Sequence, residues 1–354
     1  MAPDPADADA WFALGRAHGM AQRHAEAEAA FRRAAEIRPA MRDAKLNLAY
    51  ALLHQRKFRE AIPVLLSARE PGERSVNDAL MVSVLSALQD EPAGSPQAPL
   101  ALPPLVADPL VSVVIPTRER PAMLRDALAS VERQSYRNWE AIVVNDGGGK
   151  LDLPEGLAAK ITAIDLGAAQ GVARARNVAL RAARGAVIAL LDDDDLYLPQ
   201  HLEALVSGLR GSGAAFAYTR SIGVEERVAG GVREQLRRGM PYEYRYSRAL
   251  LLVRNLIPTA TWGARRECFE RCGGFDESLA CAEDWDMLLR LSAAVPFHLV
   301  AALTAEIRVR PGASDSVTRR VPLRPTCELL YRRYPSAGNE LIELGRRIYM
   351  ESVR

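Results

Sequence analysis

The run Ala186-Val-Ile-Ala-Leu-Leu, followed without a spacer by Asp192-Asp193-Asp194-Asp195, constrains this chain more than any other stretch. Its apolar part, rich in Val, Ile and Leu, reads as a strand buried on both faces, the kind found inside parallel sheets. Carboxylates crowded at the end of such a strand need compensation. Two ionised carboxylates about 4 Å apart repel by roughly 4 kcal/mol at an effective dielectric near 20. A divalent cation is the simplest counter-charge. If the strand continues, Asp192 and Asp194 point one way while Asp193 and Asp195 point the other, and an Asp-x-Asp pair offers oxygen ligands to a hard cation such as Mg²⁺ or Mn²⁺. The competing reading is a solvated acidic turn capping a helix that starts near Pro199.

The rest of the composition narrows the setting. With 354 residues there is room for two domains, and 49% hydrophobic with 25% charged residues is ordinary globular composition. A formal charge of +2 implies no general affinity for nucleic acid or for an acidic membrane. No apolar run reaches the length of a membrane span, and Met1-Ala-Pro-Asp-Pro-Ala-Asp lacks the regions of a signal peptide. A cytoplasmic location is therefore expected, and peripheral attachment to the inner face of a membrane is compatible with it. Cys268, Cys272, Cys281 and Cys327 form no CxxC pair and have no histidine at zinc-ligand spacing, so ordinary reduced thiols are expected.

Residues 8–90 are rich in Ala, Leu, Glu and Arg at helical spacing, and they repeat. Trp11, Leu14, Gly15, Ala27, Phe31, Ala34 and Pro39 resemble the signature of a tetratricopeptide repeat. Adding the 34-residue period of such repeats lands on Leu48, Ala49, Ala61, Leu65 and Ala68, which keep the same small or apolar character. Residues 77–89 read as a closing helix. Two repeats plus a cap fall short of the three or so needed for independent stability, so this part is expected to lean on its neighbour or on a second copy of the chain. It reads equally well as a docking surface for a protein partner and as a stabilising appendage. The predicted organisation is a helical-repeat domain over 1–92, a proline-rich linker over 93–109 and a second domain over 110–354.

From Val111 the pattern alternates. Strands are predicted over 111–116, 139–145, 161–165 and 186–191, with helices over 122–134 and 171–183. Such alternation gives a parallel sheet with helices on both faces, and ligands of such sheets sit outside the carboxyl ends of the strands. Polar residues gather at those ends: Thr117-Arg118-Glu119-Arg120, Asp146-Gly-Gly-Gly149, Gln170-Gly-Val-Ala-Arg-Ala-Arg176-Asn177, and the acidic run. Asn-Asp-Gly-Gly-Gly-Lys150 is not a phosphate loop, because Val144 stands for its first glycine and Leu151 for its metal-binding hydroxyl. No GxGxxG follows the first strand, which excludes a dinucleotide fingerprint.

Taken together, Val-Ser-Val-Val-Ile-Pro-Thr-Arg, Glu-Ala-Ile-Val-Val-Asn-Asp-Gly, Ala-Arg-Asn and Leu-Leu-Asp-Asp-Asp-Asp resemble the family 2 glycosyltransferases, which use nucleotide-diphospho-sugars. The resemblance runs from about Val111 to Tyr334. It implies a GT-A (Rossmann-like) α/β fold, a mixed sheet with helices on both faces, preceded here by the all-α tetratricopeptide-like domain. It implies that Pro116, Thr117, Arg118 and Asp146 lie on the donor side, with Thr117 and Asp146 at the base and Asp146 accepting from a ring N–H of a uracil-like or thymine-like edge. Arg176 would lie near the diphosphate, Asp192 at the ribose, Asp193 on the donor side as well, and Asp194, with Asp192, on the metal.

In the resembled family a glycine-rich turn, here Gly273-Gly274, lines the acceptor side, and a Glu-Asp pair, here Glu283-Asp284, opens a helix. A helix N-terminus favours an ionised carboxylate, which suits a base that takes the acceptor's proton; Asp284 is the first choice and Glu283 the second. Trp262 and Trp285 are candidates for a flat wall under a sugar ring, with core packing as the alternative. Arg310 stands where many relatives carry a histidine. An arginine cannot ligate a cation but can pair with phosphate. The tail over 327–349 reads as helical, packed on the sheet or on a partner. The reading is an inverting glycosyltransferase of polysaccharide or glycoconjugate synthesis. It uses a UDP- or dTDP-linked sugar, a divalent metal and a glycan, lipid-linked or protein acceptor. Alternatives are a nucleotide-sugar-binding scaffold without turnover and a nucleotidyl transferase.

Overall fold

The computed structural model describes residues 4–70, 73–89, 100, 102–229, 232–242, 245–310 and 321–353. The chain divides into two compact units, Met1–Pro92 with Pro335–Arg354, and Ala93–Tyr334.

The first unit is helical. Helices α1 (Ala8–Met20), α2 (His24–Ile37), α3 (Arg42–His54), α4 (Phe58–Ala68) and α5 (Arg74–Gln89) each pack on the next. Ala27, Ala34, Ala49 and Ala61 are buried, so neighbouring backbones approach closely. Gly15 is required: a Cβ there would lie 2.6 Å from the Phe31 ring. The carboxyl end departs from the boundary read in the sequence. A C-terminal helix, Glu340–Ser352, belongs to this helical unit and packs on α5. It buries Ile342, Leu344 and Ile348, the Asn339 side chain caps its first turn, and Glu351 pairs with Arg69 and accepts from Asn77. Two repeats and a cap thus gain a sixth helix among the described residues, which makes three helix pairs and supplies the missing cover.

The second unit holds a nine-stranded mixed sheet. In chain order its elements are β1 (Val111–Thr117), α6 (Pro121–Glu132), β2 (Trp139–Asn145), β3 (Ile161–Asp165), α7 (Val172–Ala182), β4 (Val187–Leu190), β5 (Leu196–Tyr197) and α8 (His201–Ser212). There follow β6 (Phe216–Ala229), β7 (Val232–Tyr242), α9 (Arg248–Leu251), β8 (Trp262–Arg265), α10 (Arg266–Cys272), α11 (Glu283–Ala294), β9 (Phe297–Val309) and α12 (Leu323–Arg333). The strand order is β3-β2-β1-β4-β8-β6-β9-β5, with β7 on β6. The first four strands are parallel, β8 is antiparallel to both its neighbours, and β6 runs parallel to β9. Strands β1, β2 and β4 are buried along their whole length, as their near-continuous Val, Ile and Leu require. Of the proline-rich linker, residues 93–99 and 101 lie outside the described ones; Leu105 packs on the core of this unit. No described helix is long and apolar enough to cross a membrane.

Candidate active site

The carboxyl ends of β1, β2 and β4 border a cleft of about 550 Å³. Pro116, Thr117 and Arg118 line it from β1, Asp146 from the end of β2, Arg176 from α7, and Asp192, Asp193 and Asp194 from the segment after β4. Thr259, Cys281, Glu283 and Asp284 line the facing side. The sequence-predicted donor, metal and base residues therefore converge, with Arg310 joining through its bond to Asp194. Asp146 ties the next loop down: its carboxylate accepts the Gln170 N–H at 2.6 Å and the Gly171 N–H at 3.0 Å.

The acidic run is not a strand. β4 ends at Leu190, and the Asp195 N–H donates to the Asp192 carbonyl at 3.1 Å, closing a turn. The alternation that paired Asp192 with Asp194 on one face therefore stops too early to apply. Instead, the side chains are sorted by arginines. Asp192 accepts from Arg176 Nη2 at 2.6 Å. Asp193 accepts from Thr117 Oγ1 at 2.7 Å and Arg120 Nη1 at 3.0 Å. Asp194 Oδ2 accepts from Arg120 Nη1 at 3.1 Å and Arg310 Nη2 at 2.6 Å. Asp195 turns away to accept the Arg308 N–H at 2.8 Å. Burial, followed by repulsion from Asp194, pushes the Asp193 carboxyl up to about 6. Burial raises Asp195 well above the usual carboxylate range, with Asp194 and Asp192 adding to it.

Arg176 is a strap between the two sides of the cleft. Its buried guanidinium bonds Asp192 on one side and Glu283 on the other, and lies 5.4 Å from the centre of the Phe275 ring. A position near a diphosphate was expected; the geometry shows two carboxylates already held by it. Its neighbour Asn177 faces the other way, donating to the Phe275 carbonyl at 2.9 Å and accepting the Phe275 N–H at 2.8 Å.

On the facing side, Asp284 Oδ2 accepts from Asn255 Nδ2 at 2.8 Å and from Thr259 Oγ1 at 3.3 Å. Burial raises the Asp284 carboxyl above its ordinary value, against the pull of Arg176, so desolvation outweighs the helix N-terminus that favours the ionised form. Burial raises Glu283 as well, and its ion pair with Arg176 occupies it.

The other acceptor-side residues fall elsewhere. Trp262 is buried on β8, stacked on Phe216 and Phe269. Trp285 is buried on the inner face of α11, donating to the Leu251 carbonyl at 2.7 Å. Neither presents a flat wall to the cleft, because both rings serve the core. Gly273 and Gly274 line a separate cleft of about 930 Å³ together with Asn177 and Arg290. A Cβ on Gly274, at φ +73°, would meet Asn177 Oδ1 at 2.7 Å, so that glycine serves loop anchoring.

Sequence reasoning missed Arg120, Asn255 and Thr259 as site residues, although Arg120 stands in a polar stretch at a strand end that the patterning marks. Among the described residues no group of three His, Cys, Asp or Glu side chains converges as a metal cage. Two oxygen-only carboxylates, Asp192 and Asp194, do face one cleft. A hard cation that takes one or two carboxylates and completes its shell from phosphate and water would draw on the oxygens of Asp192 and Asp194 that Arg176, Arg120 and Arg310 leave to it.

Residues 112–273 match the family model for glycosyl transferase family 2, and residues 8–40 match one for a tetratricopeptide repeat. The chain carries a glycosyl transferase family 2 domain. It is 32% identical over 195 residues to the putative colanic acid biosynthesis glycosyl transferase WcaA of Escherichia coli (strain K12), covering 52% of this chain and 66% of that protein. It is also 32% identical over 114 residues to the Escherichia coli UDP-Glc:alpha-D-GlcNAc-diphosphoundecaprenol beta-1,3-glucosyltransferase WfgD, covering 31% of this chain and 45% of that protein. These alignments span only part of either relative. The crystal structure of S. aureus TarS 1-349 in complex with UDP-GlcNAc is similar at a TM-score of 0.48 and 18% identity, over 66% of each chain. The family 2 match begins in β1 and ends at Gly273, so Glu283, Asp284 and Arg310 lie beyond it.

Proposed function

We propose that the cleft binds a nucleoside-diphosphate sugar and that the protein transfers the sugar to a hydroxyl acceptor with inversion at the anomeric carbon. The observation that carries this reading is Asp284, a carboxylate held by neutral groups on the same cleft as Thr117, Asp146 and the acidic turn. In the reaction, the acceptor oxygen bonds to the anomeric carbon while Asp284 takes its proton. The bond from that carbon to the β-phosphate oxygen breaks, and the nucleoside diphosphate leaves with the bonding pair. Asn255 and Thr259 fix Oδ2, and Oδ1 is the oxygen we assign to the acceptor. A raised pKa makes the ionised carboxylate a stronger base, and positioned proton transfer contributes roughly 10²- to 10⁴-fold.

On the donor side, Asp146 and Thr117 are assigned to a uracil or thymine edge, which supports UDP or dTDP as the carrier. Asp192 and Asp194 would hold a divalent cation, Mg²⁺ or Mn²⁺, which when bound supplies Lewis-acid stabilisation to the departing diphosphate. Arg310 adds a guanidinium that pairs with phosphate. The alignment with WfgD, whose name specifies UDP-Glc and a lipid-linked saccharide, supports a glycan or lipid-linked acceptor.

Thermal unfolding with UDP, dTDP and GDP, with and without Mn²⁺, tests the donor class, since a ligand bound by the native state alone raises Tm. UDP or dTDP is expected to raise it. A panel with no response, or release of pyrophosphate from a nucleoside triphosphate, would overturn the reading. Tight donor binding without release of nucleoside diphosphate on any acceptor would identify a binding scaffold instead.

A further inference from the structure

Strand β6 lies outside the cleft, yet one of its carboxylates reaches the site through another side chain. β6 pairs in parallel with β9, with Val224 opposite Arg308 and Glu225 opposite Val309. This register brings Glu226, 2% exposed, against the arginines that close β9. Glu226 Oε2 accepts from Arg308 Nη1 at 2.7 Å, and Oε1 accepts from Arg310 Nη1 at 3.1 Å. The second arm of Arg310, Nη2, donates to Asp194 Oδ2 at 2.6 Å. Arg310 is thus gripped from both ends, by a buried acid behind it and by an acid of the cleft in front.

A buried carboxylate is tolerated only when paired, and two guanidinium groups as close as those of Arg308 and Arg310 repel without an acid between them. An arginine side chain also has many rotamers, whose freedom must be given up to hold it in one place. Glu226 meets both requirements at once. The neighbouring Glu306 is taken by Arg238 at 2.6 Å and lies 3.5 Å from Arg308. Arg120 shares the Asp194 oxygen from the opposite side.

We propose that Glu226 is a positioning residue: it fixes the Arg310 guanidinium beside Asp194, where that guanidinium pairs with the β-phosphate of the donor. This rests on the donor site proposed above. Glu226 itself touches no substrate. Its link to the donor runs through Arg310 and so bears on the diphosphate, while its bond to Arg308 steadies the end of β9.

The experiment is calorimetric titration of UDP and of UMP, which lacks the β-phosphate, into wild type, Glu226→Gln, Arg310→Gln and the double variant. Each single variant is expected to weaken UDP about tenfold while UMP changes by less than roughly twofold, and the double variant is expected to be no weaker than either single. A wild-type protein that binds neither UDP nor dTDP would sink the donor reading itself, before any variant is made; where dTDP alone binds, dTDP and dTMP take the places of UDP and UMP. With wild-type binding intact, three results overturn the role of Glu226 alone. These are unchanged UDP affinity in Glu226→Gln, equal weakening of UDP and UMP, or a further tenfold loss when the change is made in the Arg310→Gln background. Should Glu226→Gln fail to fold, Glu226→Asp keeps the charge but withdraws it by one methylene, and an intermediate, UDP-specific loss is expected from it.

Discussion

The two sides of the cleft hold their carboxylates by different means. In the acidic turn, Asp192, Asp193 and Asp194 each accept from a guanidinium. Across the cleft, Glu283 is likewise paired with Arg176, but Asp284 is held by an amide and a hydroxyl. Burial raises Asp193, Glu283 and Asp284 alike, so the difference lies in the hydrogen-bond partners: guanidinium groups occupy the first two, whereas an amide and a hydroxyl orient Asp284. Under the proposed function, one cleft separates binding from proton chemistry through the partners it gives to chemically similar side chains.

The strongest test of this division is Asp284→Asn. It is expected to lower kcat by roughly 10²- to 10⁴-fold while the Kd for UDP stays within about twofold, measured by turnover and by calorimetry. Equal loss in both would erase the division. Next in size, Arg176→Met removes the cation shared by Asp192 and Glu283. Urea unfolding should show a loss of about 3–5 kcal/mol, because two buried or half-buried acids lose their partner.

Smaller, but more diagnostic, is the acid limb of the kcat profile. As the proposed base, Asp284 would act only when ionised, and its pKa is raised by burial, so activity should fall with decreasing pH above the ordinary aspartate value of 3.8. Asn255→Ala removes a bond to the ionised form and should move that limb up by roughly one pH unit, since one unit is worth about 1.4 kcal/mol. A limb that stays put would assign it to another group.

The smallest effect is a background that stability measurements must subtract. Burial lowers His201 from 6.5 to about 3, and its Nδ1 lies 2.8 Å from Thr304 Oγ1. The unfolded chain takes up a proton that the folded one refuses, so His201 contributes stability fully above pH 6.5 and loses it as pH falls towards 3. Between pH 7 and pH 5.5 that loss is about 1 kcal/mol, and His201→Gln should flatten it in pH-dependent melts.

The same contrast explains what was legible in the sequence. The parallel half of the sheet announces itself because each strand is a short apolar run whose polar cargo follows directly, and so Thr117, Asp146, Arg176 and the aspartates fall where the patterning puts them. Interactions that close the site join segments far apart in the chain. Arg310 meets Glu226 across 84 positions and Arg176 meets Glu283 across 107, and no local period encodes either. Strand β7, with Arg233, Glu234, Gln235, Arg237 and Arg238, has too little apolar character to read as a strand before its pairing with β6 is known. Trp262 and Trp285 were visible as large rings, but a sequence does not say which side of an element faces the core. Apolar patterning leaves both a continued strand and an acidic turn open for the run of aspartates, because it marks where a strand starts better than where its backbone turns.

The helical unit is interrupted by the family 2 domain and not merely placed before it. Helix α5 meets its covering helix only after roughly 250 further residues have been made. At 5–20 residues per second, the growing polypeptide leaves that end of the unit bare for roughly 10 to 50 s. Chaperones have that interval in which to shelter it, and a product that stops short of Glu340 keeps the exposed face as a mark of incompleteness for proteolysis to find.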